Sequence, residues 1–190
     1  YSCCRLFHSL IDGLREVTNG YTTDPSIIRR IHVRGPHAIP NQHMLRRPRS
    51  PMAAQYSLPF VVGATLAVGP TRFDAYREEN LNDPTILAIA DKVEASADDE
   101  IERHFPDHFG TAVEITLADG TTRCATVMDS IGTPARPMSL DDVKAKALSL
   151  IAPLDRSFDV DALFDAIVTL QQHGCRRVED MVMTGRRVAA

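Results

Sequence analysis

Leu6, Phe7, Leu10, Ile11, Leu14 and Val17 recur at the spacing of one helix face, and Gly20 supplies a stop. Asp24-Pro25 marks a turn. Residues 27–33 then read as a strand, with Ile31 and Val33 alternating against Arg30, His32 and Arg34. Residues 35–51 are rich in Pro, Arg and His and show no period, so they read as a loop, long for a compact domain. Residues 57–69 are the most apolar stretch. Ser57 can cap it, and Pro59 fits only its first turn. A helix apolar all round, with small Gly63, Ala64 and Ala67, belongs in a buried, close packing contact.

Further along, Asp83-Pro84 opens a short helix through Ile86, Leu87, Ile89 and Ala90, and residues 92–95 read as a strand. Val113, Ile115 and Leu117 alternate with Glu114 and Thr116. Asp119-Gly120 then turns the chain into a second strand over 123–128, a hairpin signal. Ser139-Leu140-Asp141-Asp142 resembles a capping box and predicts a helix to about Ile151. Val160, Leu163, Phe164, Ile167 and Leu170 form a last amphipathic helix, ended by Gly174. Strands and helices mix without strict alternation, which predicts an α+β fold with an antiparallel-rich sheet.

The 190 residues and an apolar fraction of 44% allow one ordinary folded domain with a small appendage. Residues 60–69 are the longest apolar candidate and are too short to span a bilayer. A net charge of −4 argues against general nucleic-acid binding. Arg46, Arg47 and Arg49 form the one basic cluster, read as a solvated loop or an anion-steering patch. The four cysteines at 3, 4, 124 and 175 contain no C-x-x-C, and adjacent Cys3-Cys4 suits no ordinary disulfide. With no secretory signal, a reducing cytoplasm is the expected compartment. The seven histidines lack metal-ligand spacing; Pro106 interrupts the turn between His104 and His108, so no metal site is expected. Nucleotide loops and a nucleophile elbow are missing too. The chain opens directly on its first helix without an initiator Met, from which we expect a longer polypeptide upstream.

Three stretches together resemble the MmgE/PrpD family, which includes 2-methylcitrate dehydratase, cis-aconitate decarboxylase and iminodisuccinate epimerase. The first runs from Tyr1-Ser2-Cys3-Cys4-Arg5-Leu6-Phe7-His8 to Asp12. The second is Pro51-Met52-Ala53-Ala54-Gln55-Tyr56-Ser57-Leu58-Pro59-Phe60 with the helix that follows. The third joins Asp119-Gly120 to Gly132-x-Pro134-x-x-Pro137-x-Ser139 and the helix carrying Lys144 and Lys146. Their order and spacing over nearly the whole chain carry the resemblance.

The resemblance implies the family's smaller α+β domain over 1–138. It implies C-terminal helices over 139–190 that return to an N-terminal all-helical domain absent here. It further implies a homodimer when complete, no cofactor, no membrane and no nucleic acid. The implied chemistry is lyase or isomerase work on small di- or tricarboxylates, in a cleft of which this chain supplies one wall. Such a site needs a base and groups that hold carboxylates. His8 is the candidate for acid/base or orienting work; the alternative is a histidine satisfying a local bond at a helix start. Cys4 stands where decarboxylase-like members carry a histidine, and either lines the pocket or packs in the core. Arg5 is either a bidentate carboxylate ligand or a surface cation. Gln55, Tyr56 and Ser57 lie where the second motif approaches the cleft, with capping the simpler role for Ser57. Phe60 stands where some members carry a tyrosine, Lys144 and Lys146 read as solvated charges, and the lysine expected in the family falls just before Tyr1. Opposed to an enzyme stand a non-catalytic module that pairs with a separate helical subunit, and a structural remnant.

Overall fold

The structure, a computed structural model, describes residues 1–151 and 159–185. A 3₁₀ turn, Arg5–Phe7, leads into α1 (His8–Thr18). Asn19 caps that helix in the left-handed conformation and Gly20 follows at φ 74°, which explains the stop. Next come β1 (Ile28–Gly35), α2 (Ala38–Gln42), α3 (Pro51–Gln55), α4 (Leu58–Ala67) and α5 (Pro84–Ala90). β2 (Val93–Ala97), α6 (Asp99–Glu102), β3 (Thr111–Leu117) and β4 (Thr122–Val127) complete the sheet region. The chain continues through α7 (Leu140–Ile151), α8 (Val160–Val168), α9 (Leu170–His173) and α10 (Arg176–Gly185).

The fold is α+β. Its sheet runs β2-β1-β3-β4: β1–β3 and β3–β4 are antiparallel, and β1–β2 is parallel. The parallel edge follows from the connection through α2–α5, since parallel neighbours need a long crossover. The hairpin forms where Asp119-Gly120 predicted it. Thr121 N–H donates to the Asp119 carboxylate at 2.8 Å, and Gly120 adopts φ 89°.

The chain divides into two compact units, Tyr1–Pro137 and Met138–Ala190. In the first, α1 packs on β3 and β4. A side chain at Gly13 would stand 3.1 Å from Val113 and near Ala125 and Val127, so the helix lies close on the sheet. Every residue of α4 from Leu58 to Leu66 is buried. At Gly63 a Cβ would come within 2.4 Å of the Ile86 carbonyl oxygen, which fixes the close approach of α4 and α5. The small residues in the 57–69 stretch therefore do what their pattern predicted.

The second unit is helical. Ser139 and Asp142 close their box reciprocally: Asp142 N–H donates to Ser139 Oγ at 3.1 Å, and Ser139 N–H to Asp142 Oδ2 at 2.9 Å. α7 buries no residue and α8 buries only Ala166. Lys144 pairs with Asp161 at 2.5 Å in a surface ion pair between α7 and α8.

Within the 35–51 stretch two points depart from expectation. It contains α2, begun at Ala38 despite Pro40. Arg46 is no solvated-loop residue either, because its guanidinium donates to the Ala90 and Val93 carbonyls at 2.6 and 2.7 Å. Arg47 pairs with Asp91 at 2.7 Å. The anion-steering reading of this cluster loses two of its three cations, Arg46 and Arg47, to internal partners. Among the described residues, no helix is long and apolar enough to cross a membrane.

Candidate functional site

The opening segment lies along the end of α3. Cys4 N–H donates to the Gln55 carbonyl at 2.9 Å, and Gln55 Nε2 donates to the Ser2 carbonyl at 2.9 Å. α3 is started locally by Ser50, whose hydroxyl accepts from Ala53 N–H at 3.2 Å, with Pro51 at its first position. Residues far apart in sequence thus meet through one backbone pair and one side-chain amide, so the segment's course depends on Gln55 as well as on the backbone.

His8 stands at the first position of α1. Its Nε2 lies 3.2 Å from the Cys3 carbonyl, and its ring meets the Tyr1 ring edge-on at 5.3 Å. A carbonyl only accepts, so Nε2 carries the proton and Nδ1 is the acceptor nitrogen. Burial pushes the His8 pKa down to about 4, the terminal ammonium and more weakly Arg5 push the same way, and the bond to the Cys3 carbonyl and Asp12 oppose. A free histidine titrates near about 6.5. His8 is therefore a neutral imidazole at physiological pH, which suits orienting a substrate group better than delivering a proton.

The other predicted residues divide. Cys4 is half-buried beside Gln55. Neighbouring Cys3 is held as a thiol: burial pushes its pKa up to about 12, and it hydrogen-bonds Tyr76. Arg5 reaches the loop after β4, donating to Ser130 Oγ at 2.9 Å with its guanidinium 5.0 Å from the centre of the Phe109 ring. Ser57 is 0% exposed; it donates to the Leu45 carbonyl at 2.5 Å and accepts from Phe60 N–H at 3.1 Å. The substrate-binding role assigned to Ser57 has no exposed surface to act through, and capping accounts for its hydroxyl. His8, Cys4 and Gln55 are brought together around residues 1–4; Arg5 and Ser57 point elsewhere.

Two clefts border this region. One of about 450 Å³ is lined by Gln55, Tyr76, Arg77 and neighbours. Arg77 lies 3.8 Å from Glu79, longer than a charge-assisted bond, so its guanidinium is loosely held. The other, of about 290 Å³, is lined by Asp12, Arg15, Ile131 and Arg136. Asp12 is only 2% exposed, and it accepts from the Tyr1 hydroxyl and from Ile131 N–H at 2.7 Å. Burial and the Asp12 carboxylate push the Tyr1 pKa up to about 12. Asp12, Arg77 and Arg136 escaped the sequence reading. The signal for Asp12 was available: a lone carboxylate within the apolar run Leu10-Ile11-Asp12-Gly13-Leu14. Among the described residues, no group of three His, Cys, Asp or Glu is placed to hold a metal ion.

No curated protein matches the chain. Residues 1–168 match the family model of the MmgE/PrpD C-terminal domain. That match spans all three stretches in which the resemblance lies, together with the sheet that carries them. The chain belongs to the MmgE/PrpD family, through that family's C-terminal domain.

Proposed function

We propose that the chain is the C-terminal portion of a cofactor-independent lyase or isomerase acting on small di- or tricarboxylates, a dehydratase or decarboxylase by reaction type. The observation that carries the reading is His8: a half-buried neutral imidazole with Nδ1 as its acceptor nitrogen, inside the opening stretch of the family match. Abstracting a proton beside a carboxylate requires a base and a preorganised polar setting for the developing charge. His8 orients the substrate's hydroxyl, accepting its hydrogen bond at Nδ1. Gln55 and Cys4 line the same wall, while Arg5 holds the segment to the loop after β4 through Ser130. Ser57 supports the wall from beneath as the cap of α4. The stronger base comes from the helical domain or from the lysine expected ahead of Tyr1.

The division of labour follows the two compact units. Residues 1–138 form the lid-type domain and 139–190 return to the helical domain. Large apolar side chains support this assignment: Leu140, Val143, Leu148, Leu150, Ile167 and Val168 are all exposed. Such a surface calls for a cover. The complete protein is a cytoplasmic homodimer in this reading, and the isolated chain has little or no activity. A non-catalytic module that pairs with a separate helical subunit would need the same apolar cover.

Two measurements test the reading. Intact mass of the protein from its own cells should lie well above 21.0 kDa; a mass near that value favours the separate module. His8→Ala in the intact protein should lower turnover of its carboxylate substrate by roughly a hundredfold. Unchanged kinetics would remove His8 from the site.

A further inference from the structure

Asp12 is an unusual residue for the buried side of a helix. Its carboxylate is almost fully desolvated, yet it is multiply satisfied: Oδ1 accepts from the Tyr1 hydroxyl, and Oδ2 accepts from Ile131 N–H at 2.7 Å. Two cations flank it, Arg136 at 3.6 Å from Oδ2 and Arg15 at 4.0 Å from Oδ1. Arg15 also donates to the Tyr1 hydroxyl at 3.1 Å. A buried ion is retained only where its lone pairs and charge are matched in this way.

What Asp12 joins is specific. On one side is the segment carrying His8, whose imidazole rests edge-on against the Tyr1 ring. On the other is the loop over 129–136. That loop is braced from within: Thr133 Oγ1 donates to the Ser130 carbonyl at 2.9 Å, and Arg136 donates to the Asp129 carbonyl at 2.9 Å. His108 holds Asp129 at 2.9 Å. Arg5 clasps the same loop through Ser130. Two independent clasps, at Arg5 and Asp12, therefore fix the opening segment to one braced loop.

We propose that Asp12 is a positioning residue: by tying Tyr1 and the 129–136 loop to one carboxylate, it sets the placement of the His8 imidazole. Its consequence for turnover rests on the carboxylate reading above; its consequence for Tyr1 and His8 does not. Asparagine does not reproduce it: with its oxygen toward Ile131 N–H it sets an NH2 donor, not an acceptor, opposite the Tyr1 hydroxyl, and it offers no charge to Arg15 and Arg136.

The experiment compares the intact protein with its Asp12→Asn, Asp12→Glu and Tyr1→Phe variants and the Asp12→Asn/Tyr1→Phe double. Three readouts are taken: the phenol titration of Tyr1, identified by its loss in Tyr1→Phe; the His8 imidazole resonances; and kcat and KM separately. In Asp12→Asn the Tyr1 titration should fall toward about 10, the His8 resonances should move, and Asp12→Glu should recover part of both. Turnover should fall by about a hundredfold, as expected for a small misplacement of a reacting group, with KM changing far less. The double variant should be no worse than Asp12→Asn alone. Unmoved Tyr1 and His8 signals, with kcat lost only in proportion to folded protein, would overturn the proposal. Should Asp12→Asn not fold, Tyr1→Phe carries the test alone, since it removes one hydroxyl. A shifted His8 then supports the proposal and an unshifted one sinks it. If the parent protein turns over no di- or tricarboxylate while Tyr1 and His8 still respond to Asp12→Asn, positioning stands and the reaction reading fails.

Discussion

α4 and α7 are helices of similar length, the first apolar all round and the second amphipathic, and they live in opposite circumstances. α4 buries all its residues from Leu58 to Leu66, whereas α7 buries none of its residues. The first unit encloses its own core, with Phe7, Leu10, Leu14, Phe60 and Ile86 fully buried. Among the described residues of the second unit only Ala166 reaches that state. The contrast teaches that the two units differ in what completes them. The sheet unit encloses a core of its own, and the described helices of the second unit bury almost none of their apolar residues.

The comparison breaks most severely at Gly63. Gly63→Ala drives a methyl group against the Ile86 carbonyl, where neither helix backbone can give way cheaply. We expect a loss of about 3 kcal/mol or more, read by chemical denaturation. A loss below about 0.5 kcal/mol would mean that α4 and α5 are not packed as described.

Next in size is Ser57→Ala. It removes the cap of α4 and strands the Leu45 carbonyl, and should cost about 1–2 kcal/mol in the same measurement. A neutral outcome would return Ser57 to the list of substrate-facing residues.

A smaller effect sharpens the comparison through pH. The folded His8 pKa of about 4 lies below the unfolded value of about 6.5, so the unfolded chain binds the extra proton first. The stability due to neutral His8 is full above about pH 6.5 and is lost as pH falls toward 4. His8→Gln should flatten the stability profile over that window. An unaltered slope would show that His8 is not held in a desolvating environment.

The smallest effect is the most informative about the second unit. Leu148 is exposed, so Leu148→Ala should alter the stability of the 190-residue chain by no more than about 0.5 kcal/mol. In the intact protein the same change should cost about 2 kcal/mol or more if a helical domain covers it. Equal, small effects in both would leave the apolar face of α7 uncovered.

What could be read from the sequence was whatever is local in cause. The stop at Asn19-Gly20, the Ser57 and Ser139 caps, the Asp119-Gly120 turn and the small residues of α4 each act within a few residues, and each recurs in the structure. What stayed hidden depends on distant partners. The parallel pairing of Ile31 with Val93 crosses a long connection, and Asp12 meets Ile131 across 119 positions of sequence. Arg46 resembled a surface cation because its two carbonyl partners lie far along the chain, at the end of α5 and the start of β2. α10 was missed because Val178, Met181 and Val182 sit among charges and give little apolar content. In the candidate site, His8, Cys4 and Gln55 could be singled out through the family motif. Their meeting at Ser2 and Cys3 came only with the backbone contacts to α3.

The central claim is that this chain supplies one wall of a carboxylate site that another, helical domain completes. It is tested most directly by assaying the intact protein, its His8→Ala variant and the isolated 190-residue chain against one panel of di- and tricarboxylates. The account predicts turnover by the intact protein, about a hundredfold less by His8→Ala, and essentially none by the isolated chain. Equal turnover by the isolated chain, or an intact protein indifferent to His8→Ala, would contradict it.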